Sequence, residues 1–454
     1  MTDRPATIEK TGIEHISEEQ RHGSPSRVFT LWFAANLTVA DYVIGVLCVQ
    51  AFGLTVVQSI PVLLVGNVLG GLALGLSAAM GPRLGFPQML SSRSSFGRRG
   101  NYLFGGLNWI STVGWFTVNT ILGVEAVQAT YPAANFYGVA TALVGIQVVI
   151  AVYGHDFIHL FEKAMSIILG LLFLGVFIVA VPKLGAAASY VPPGGTAGFP
   201  ALGAVGVVLA TSFSYLMSWA PYASDYSRYL PQSVSRRRVA IFALVGGACA
   251  SFAVEAIGAL VGSLTPATGF FQALYSFAGG FGVPAIVAIL LGAVAANALN
   301  IYTNALSLLV LDIRTKRWVA VLAGGVVGLG LSFIGQANFV TNYQNFLFVL
   351  DYWISPWLGI ILVDYFVSRR TTVDTIASSP PWDWRALGAY LIAILVSVPF
   401  MVPSLPLGFP FGSLSYLMGG ADFSYFISFG VAVALMWMLR SAGAGAGPLN
   451  GTNR

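Results

Sequence analysis

A chain of 454 residues with 56% hydrophobic and only 9% charged side chains cannot coat a soluble globule, because soluble domains carry roughly 25% charged residues. The same figures exclude a disordered chain, a coiled coil and a disulfide-stapled secreted scaffold, and the two cysteines, Cys48 and Cys249, lie in apolar runs as small packing residues. A net charge of +5 suggests a nucleic-acid partner only until the basic residues are placed along the chain.

Residues 1–27 are polar and mixed in charge, without the apolar core of a signal peptide, and read as a cytoplasmic tail. About 20 apolar residues are needed to cross the hydrocarbon core. Twelve runs meet that need, near 28–53, 56–80, 101–129, 134–153, 163–181, 201–223, 239–262, 283–311, 317–335, 339–367, 386–403 and 417–439. Residues 440–454 form a Gly/Ala-rich cytoplasmic tail. With twelve spans, Lys183 is the only one of the 22 basic residues that does not fall on the side of the two termini. That is the positive-inside pattern, so both termini are expected in the cytoplasm and the basic excess reflects topology. No soluble domain and no GxxxxGK[ST] pattern accompanies the spans, which favours a secondary transporter over an ATP-driven pump.

Polar groups at bilayer depth are costly and mark pathways or helix contacts. In the first span, Asn36, Thr38 and Asp41 interrupt the apolar run, and an unwound stretch there would expose carbonyls able to hold a small cation; bonding of Asn36 and Thr38 to a neighbouring helix is the plainer alternative. In the third, Trp115 and Asn119 share a helix face, where an indole beside an amide can stack on a flat heteroaromatic ring and bond its edge. A tryptophan in lipid or helix contacts explains Trp115 equally well. The sixth span is polar in its middle, at Ser212, Ser214, Tyr215, Ser218 and Trp219, and Pro221 favours a break; Asp225 and Arg228 are spaced for a local ion pair. In the eighth, Asn297, Asn300 and Asn304 form one stripe beside Thr303, facing partners, water or ligand. Glu125, Glu255 and Asp351 are further titratable groups inside spans. His155 and His159 have metal-ligand spacing but read as part of a cytoplasmic loop without further ligands, so no metal is expected.

Polar interruptions in spans one and six, equivalent positions of two five-helix halves, point to an inverted-repeat transporter. Its halves would be residues 28–181 and 201–367, followed by two further helices over 386–439. GIEHISEEQR, WFAANLTVADYVIG, GPRLGFPQMLSSRSSFG, GWFTVNTILG, YGHDFIHLFEK, WAPYASDYSRYLP and NALNIYTNALSL resemble the nucleobase–cation symporter family, most strongly its purine/cytosine permease branch, from about residue 12 to about residue 400. The resemblance implies an all-α polytopic membrane protein of twelve transmembrane helices with a leucine-transporter-like core. It implies import of a nucleobase, cytosine or a purine, by H+ or Na+ symport through alternating access, with allantoin, hydantoin, a nucleoside or another small heterocycle as the alternative cargo. By the same resemblance, Trp115 stacks on the substrate, Asn119, Asn297 and Asn300 contact it, and Trp219 or Tyr215 supplies the second aromatic face. Sodium-coupled members use helix-1 carbonyls, here Ala35 and Thr38, and two helix-8 side chains, here Thr303 and Asn304; fungal-type members run on protons, for which Asp41, Glu125, Glu255 and Asp351 are candidates. Asn36 belongs to the same expected cation-coupling region. No cofactor, enzyme activity, nucleic acid or obligatory protein partner is implied, and the expected location is the plasma membrane. An amino-acid transporter of the same fold would carry Gly-x-Gly in its first span, which this chain lacks. A channel would need pore-loop repeats, and an intramembrane enzyme a nucleophile–base pair; neither pattern is present.

Overall fold

Hydrocarbon offers no hydrogen bonds, so every backbone group of a spanning segment must be paired within the protein, and a chain this apolar folds as helices. The computed structural model describes residues 9, 11–265, 269–337, 339–402 and 411–444, without the side chains of 442–444. Most of the expected C-terminal tail, the start of the N-terminal tail and the end of the eleventh expected span lie outside the described residues.

The long helices are α1 (Ser26–Ala35), α2 (Val39–Gln50), α3 (Val56–Ala78), α4 (Asn101–Thr130), α5 (Phe136–Tyr153), α6 (His155–Ala180), α7 (Leu202–Met217), α8 (Arg236–Leu264), α9 (Gly282–Val310), α10 (Arg317–Gly335), α11 (Phe339–Leu362), α12 (Trp384–Ser397) and α13 (Ser424–Ala444). Among the described residues ten helical segments are long and apolar enough to cross a membrane, and α1–α2, bent by 56°, make an eleventh. The stretch Trp384–Phe400 is a shorter apolar helix at the position expected for another span. Large apolar side chains such as Leu171 and Ile178 on α6 and Val326 and Ile334 on α10 remain exposed, a surface suited to lipid.

Two expected boundaries move. Residues 155–162, read as loop, are the first turns of α6. That stretch is amphipathic, with His155, Ile158 and Glu162 buried, so a count of apolar residues misses it. The last long helix begins at Ser424 rather than near 417, because a separate turn, Ser413–Leu417, ends at the left-handed Gly419. Cys48 is buried as expected, whereas Cys249 is exposed on α8.

The break in the first span follows from its polar residues. Asn36 leaves helical geometry and its side-chain nitrogen donates to the Trp32 carbonyl, while Thr38 is extended and starts α2. Gly292 on α9 lets the bend approach: a Cβ there would sit 2.1 Å from the Leu37 oxygen. The sixth span is also interrupted. Helix α7 stops at Met217, a tight turn runs over Ala220–Tyr222 around Pro221, and a short helix follows over Ala223–Ser227. Helix α8 packs on α2 and α3, and α9 packs on α4, so both breaks lie in the middle of the bundle.

The stretch 81–97 forms three one-turn helices under the short helix 223–227. There Gln88 donates its backbone N–H to Asp225 at 2.9 Å and accepts from Ser224. Arg228 reaches the Gly12 carbonyl at 2.9 Å instead of Asp225. The expected Asp225–Arg228 ion pair is therefore not formed, because each side chain is taken by backbone from a different segment.

The described part of the N-terminal segment packs against the bundle. His22 bonds Asp156 through Nε2 at 3.0 Å and the Gln20 carbonyl through Nδ1 at 3.0 Å. The Asp156 bond holds the imidazole above its ordinary range, against the opposing effect of burial and of Arg27. A raised value means the contact stabilises the fold fully below about pH 6.5 and is lost as pH climbs through the raised value. His22→Ala should therefore lower the melting temperature of detergent-solubilised protein more at mildly acidic pH than at alkaline pH; an equal loss at both would refute the linkage. His22, His155 and Asp156 place ligand atoms within 4.8 Å of one another, but both nitrogens of His22 are already satisfied by protein.

Candidate functional site

Helix α4 carries Trp115 and Asn119 one turn apart, and α9 carries Asn297 and Asn300 opposite them; all four are buried. Asn297 is the hub. Its side-chain oxygen accepts from Asn119 at 3.2 Å and Asn300 at 3.3 Å, and its nitrogen faces the Phe116 carbonyl, Thr120 and Gln147 at 3.0–3.3 Å. Tyr222, from the turn that interrupts the sixth span, donates to the Asn300 oxygen at 3.0 Å. The asparagines thus tie α4, α5, α9 and the second break together.

Three polar atoms in this group have no hydrogen-bond partner among the described residues: the Trp115 indole N–H, the Asn119 oxygen and the Gln147 amide nitrogen. Each such buried group costs about 1–3 kcal/mol unless something meets it. The rings around Trp115 are Tyr215 at 5.1 Å, Phe346 at 5.2 Å and Tyr343 at 6.2 Å, all edge-on. None of these three lies parallel on the indole, so the arrangement offers an aromatic wall and a mixed donor–acceptor edge.

Of the two helix-six aromatics, Tyr215 meets Trp115, and its hydroxyl bonds Thr38 at 2.8 Å. Trp219 instead donates its indole N–H to Asn36 at 2.9 Å, with its ring beside Trp32 and Tyr222. It clamps the first break to the second. Gln147, Tyr222, Tyr343 and Phe346 escaped the sequence reading. Gln147 had a signal, a lone amide in an apolar span; the aromatics had none, because they lie among many others.

The expected cation region divides. Ala35, Asn36, Thr38 and Asp41 are all buried at the first break. Thr303 and Asn304 are not brought there. Thr303 donates to Asp225 at 2.8 Å, and Asn304 donates to the Trp109 carbonyl and Thr112, each at 3.0 Å. The bend touches α9 at Gly292, about three turns or roughly 16 Å along the helix from Thr303. One turn on from Gly292 the same face carries Ala295 and Ala296, which have no side-chain oxygen.

Beyond the break, Ser251 on α8 donates to Asp41 at 3.1 Å and lies 3.4 Å from the Asn36 oxygen. One turn further along α8, Glu255 accepts from Ser212 at 3.0 Å and from Asn67. Both acids are buried.

Residues 15–428 match the profile of a family described as permeases for cytosine/purines, uracil, thiamine and allantoin. The chain is 29% identical to a Bacillus subtilis protein described as the putative purine-cytosine permease YxlA, over 95% of this chain and 96% of that one. It is 28% identical to the purine-cytosine permease fcyB of Emericella nidulans, over 80% of this chain and 74% of that one. Among solved structures, it resembles Mhp1, a nucleobase-cation-symport-1 family transporter in a closed conformation with bromovinylhydantoin bound. The TM-score is 0.79 at 20% identity, with 98% of this chain and 97% of that one covered. That likeness concerns the fold.

Proposed function

The chain belongs to the family of permeases for cytosine/purines, uracil, thiamine and allantoin, and from that premise we propose that it imports a nucleobase, cytosine or a purine, by cation symport through alternating access. The protein is a membrane transporter of small heterocycles and not an enzyme. The observation that carries the finer reading is the set of unpaired buried polar atoms on Trp115, Asn119 and Gln147: an indole N–H, an amide oxygen and an amide NH2. A planar base is the ligand such a set suits. It stacks on the indole face and meets the Asn119 oxygen and the Gln147 nitrogen with its own donors and acceptors. A base with the wrong edge would leave an unpaired amide, which provides discrimination.

In this reading Trp115 and Asn119 contact the base, Asn300 and Asn297 set the edge that it reads, and Tyr215 closes the aromatic wall. Trp219 acts at one remove, by holding Asn36. The cation acts at the first break, through Ala35, Asn36, Thr38 and Asp41. The spans divide into halves over 28–181 and 201–367 that rock about the site, and the distribution of basic residues supports cytoplasmic termini. The location is the plasma membrane.

The test is uptake of radiolabelled cytosine by cells lacking their own nucleobase permeases. Unlabelled adenine, hypoxanthine, uracil, allantoin and leucine would be competitors. Saturable uptake blocked by purines and not by leucine is expected. No uptake of cytosine or of any labelled competitor base would sink the nucleobase assignment.

A further inference from the structure

Asp41 and Glu255 lie in one buried cluster at the junction of α2, α3, α7 and α8: Ser251, which bonds Asp41, stands one turn before Glu255 on α8. Neither forms an ion pair among the described residues. The groups that face them are neutral: Cys48 from α2, Asn67 from α3, Ser212 and Tyr215 from α7, Ser251 from α8 and Tyr343 from α11. Two carboxylate charges without a counter-ion in such surroundings are strongly disfavoured and repel one another. Asp41 has little to favour charge beyond the Ser251 hydroxyl that it accepts from and its place in the first turn of α2. Glu255 accepts only from the Ser212 hydroxyl and the Asn67 amide, and one oxygen of each carboxyl has no partner among the described residues.

We propose that Asp41 and Glu255 together form the proton-binding site of the transporter, wired by Ser251 through the first break to the substrate wall. This rests on the transport reading above and names its coupling ion. In the outward-facing state a proton from external water forms an O–H bond with a carboxylate of the pair, and in the inward-facing state that bond breaks and the proton passes to cytoplasmic water.

The wiring lies in the hydrogen bonds. Ser251 has one hydroxyl hydrogen and two acceptors in range, Asp41 and Asn36. An ionised Asp41 claims that hydrogen; a protonated Asp41 releases it to Asn36, which also holds the Trp219 indole. On the other side, the Tyr215 hydroxyl near Asp41 bonds Thr38, and its ring abuts Trp115. Loading the pair therefore alters the contacts on both sides of the bend. A proton suits this place better than a metal cation, which needs a shell of oxygen ligands. The α9 face at the bend presents Gly292, Ala295 and Ala296 and supplies no side-chain oxygen.

The experiment uses the full chain in proteoliposomes, as wild type, Glu255→Gln and Asp41→Asn, with Ser251→Ala as a milder variant should either acid variant misfold. Infrared difference spectra on changing pH should show the carbonyl band of a protonated buried carboxylic acid, lost or shifted in the acid variants and shifted in Ser251→Ala. Under an inward proton gradient, with sodium absent and the membrane potential clamped, the wild type should accumulate labelled cytosine. Glu255→Gln should lose at least about tenfold of that accumulation, yet still bind cytosine by tryptophan quenching and still exchange it across the membrane. A band unchanged in all three variants overturns the proposal. So does accumulation driven by sodium alone, or proton-driven accumulation intact in Glu255→Gln and Asp41→Asn. If the wild type moves no base, the transport reading fails, and the infrared bands alone decide whether the pair holds the proton.

Discussion

Trp115→Ala should abolish most cytosine uptake. Stacking of a base on an aromatic ring contributes about 1–3 kcal/mol, so its loss should weaken apparent affinity roughly 5- to 150-fold. The effect should fall on KM, since the ring face is equally available to bound substrate at every stage of binding. Removing a buried indole also leaves a cavity that costs about 3–5 kcal/mol of stability. Trp115→Phe separates the two effects: it keeps a stacking face and most of the volume while deleting the unpaired indole N–H. The phenylalanine variant should retain substantial uptake, because its ring still offers a face to stack on. Uptake per copy at the membrane is the measurement. An alanine variant as active as wild type would remove Trp115 from the site.

The second large effect concerns stability. Arg440 on α13 binds Asp364 with two parallel bonds of 2.9 and 3.0 Å and reaches Asp383 at 2.9 Å; Asp364 is fully buried. Asp364 lies in the irregular turn that ends α11, and Asp383 caps α12 through the Arg385 and Ala386 N–H groups. One guanidinium thus joins three helix ends. Arg440→Met keeps the bulk but strands a buried carboxylate, which should cost about 3–5 kcal/mol. The midpoint of thermal unfolding in detergent should drop clearly. The double variant Arg440→Met/Asp364→Leu should recover part of the loss, because no charge is then left buried. Equal melting of wild type and Arg440→Met would show that the pair is worth little.

Both features bear on how far the sequence alone could be read. The bundle was legible because spanning segments must be apolar and because basic residues sort to one side. The two breaks were legible because Asn36, Thr38 and Pro221 stand out in apolar runs. Trp115, Asn119, Asn297 and Asn300 were singled out for the same reason, and the structure joins the three asparagines in one hydrogen-bond network, with Trp115 one turn from Asn119. Spacing could not say which way each side chain turns. Thr303 and Asn304 are neighbours in sequence, yet one faces Asp225 and the other Thr112, because successive helical residues point about 100° apart. The partner of Arg440 lies 76 residues away and was invisible to any local pattern. The start of α6 was missed because an amphipathic turn at the membrane edge looks like loop to an apolar count.

The crossing of α2 and α8 has a mechanical consequence. At Gly45 a Cβ would sit 1.9 Å from the Glu255 carbonyl oxygen, and at Gly258 one would sit 2.2 Å from that of Tyr42. The helices meet there main chain to main chain. Side-chain teeth can slip by a notch, but two bare backbones in contact have no alternative notch to occupy. The crossing therefore behaves as a weld: the helix bearing Asp41 and the helix bearing Glu255 travel as one body. In the proposed transport cycle, flexing would then fall to the bend at residues 36–38, with the spacing of the two carboxyls preserved.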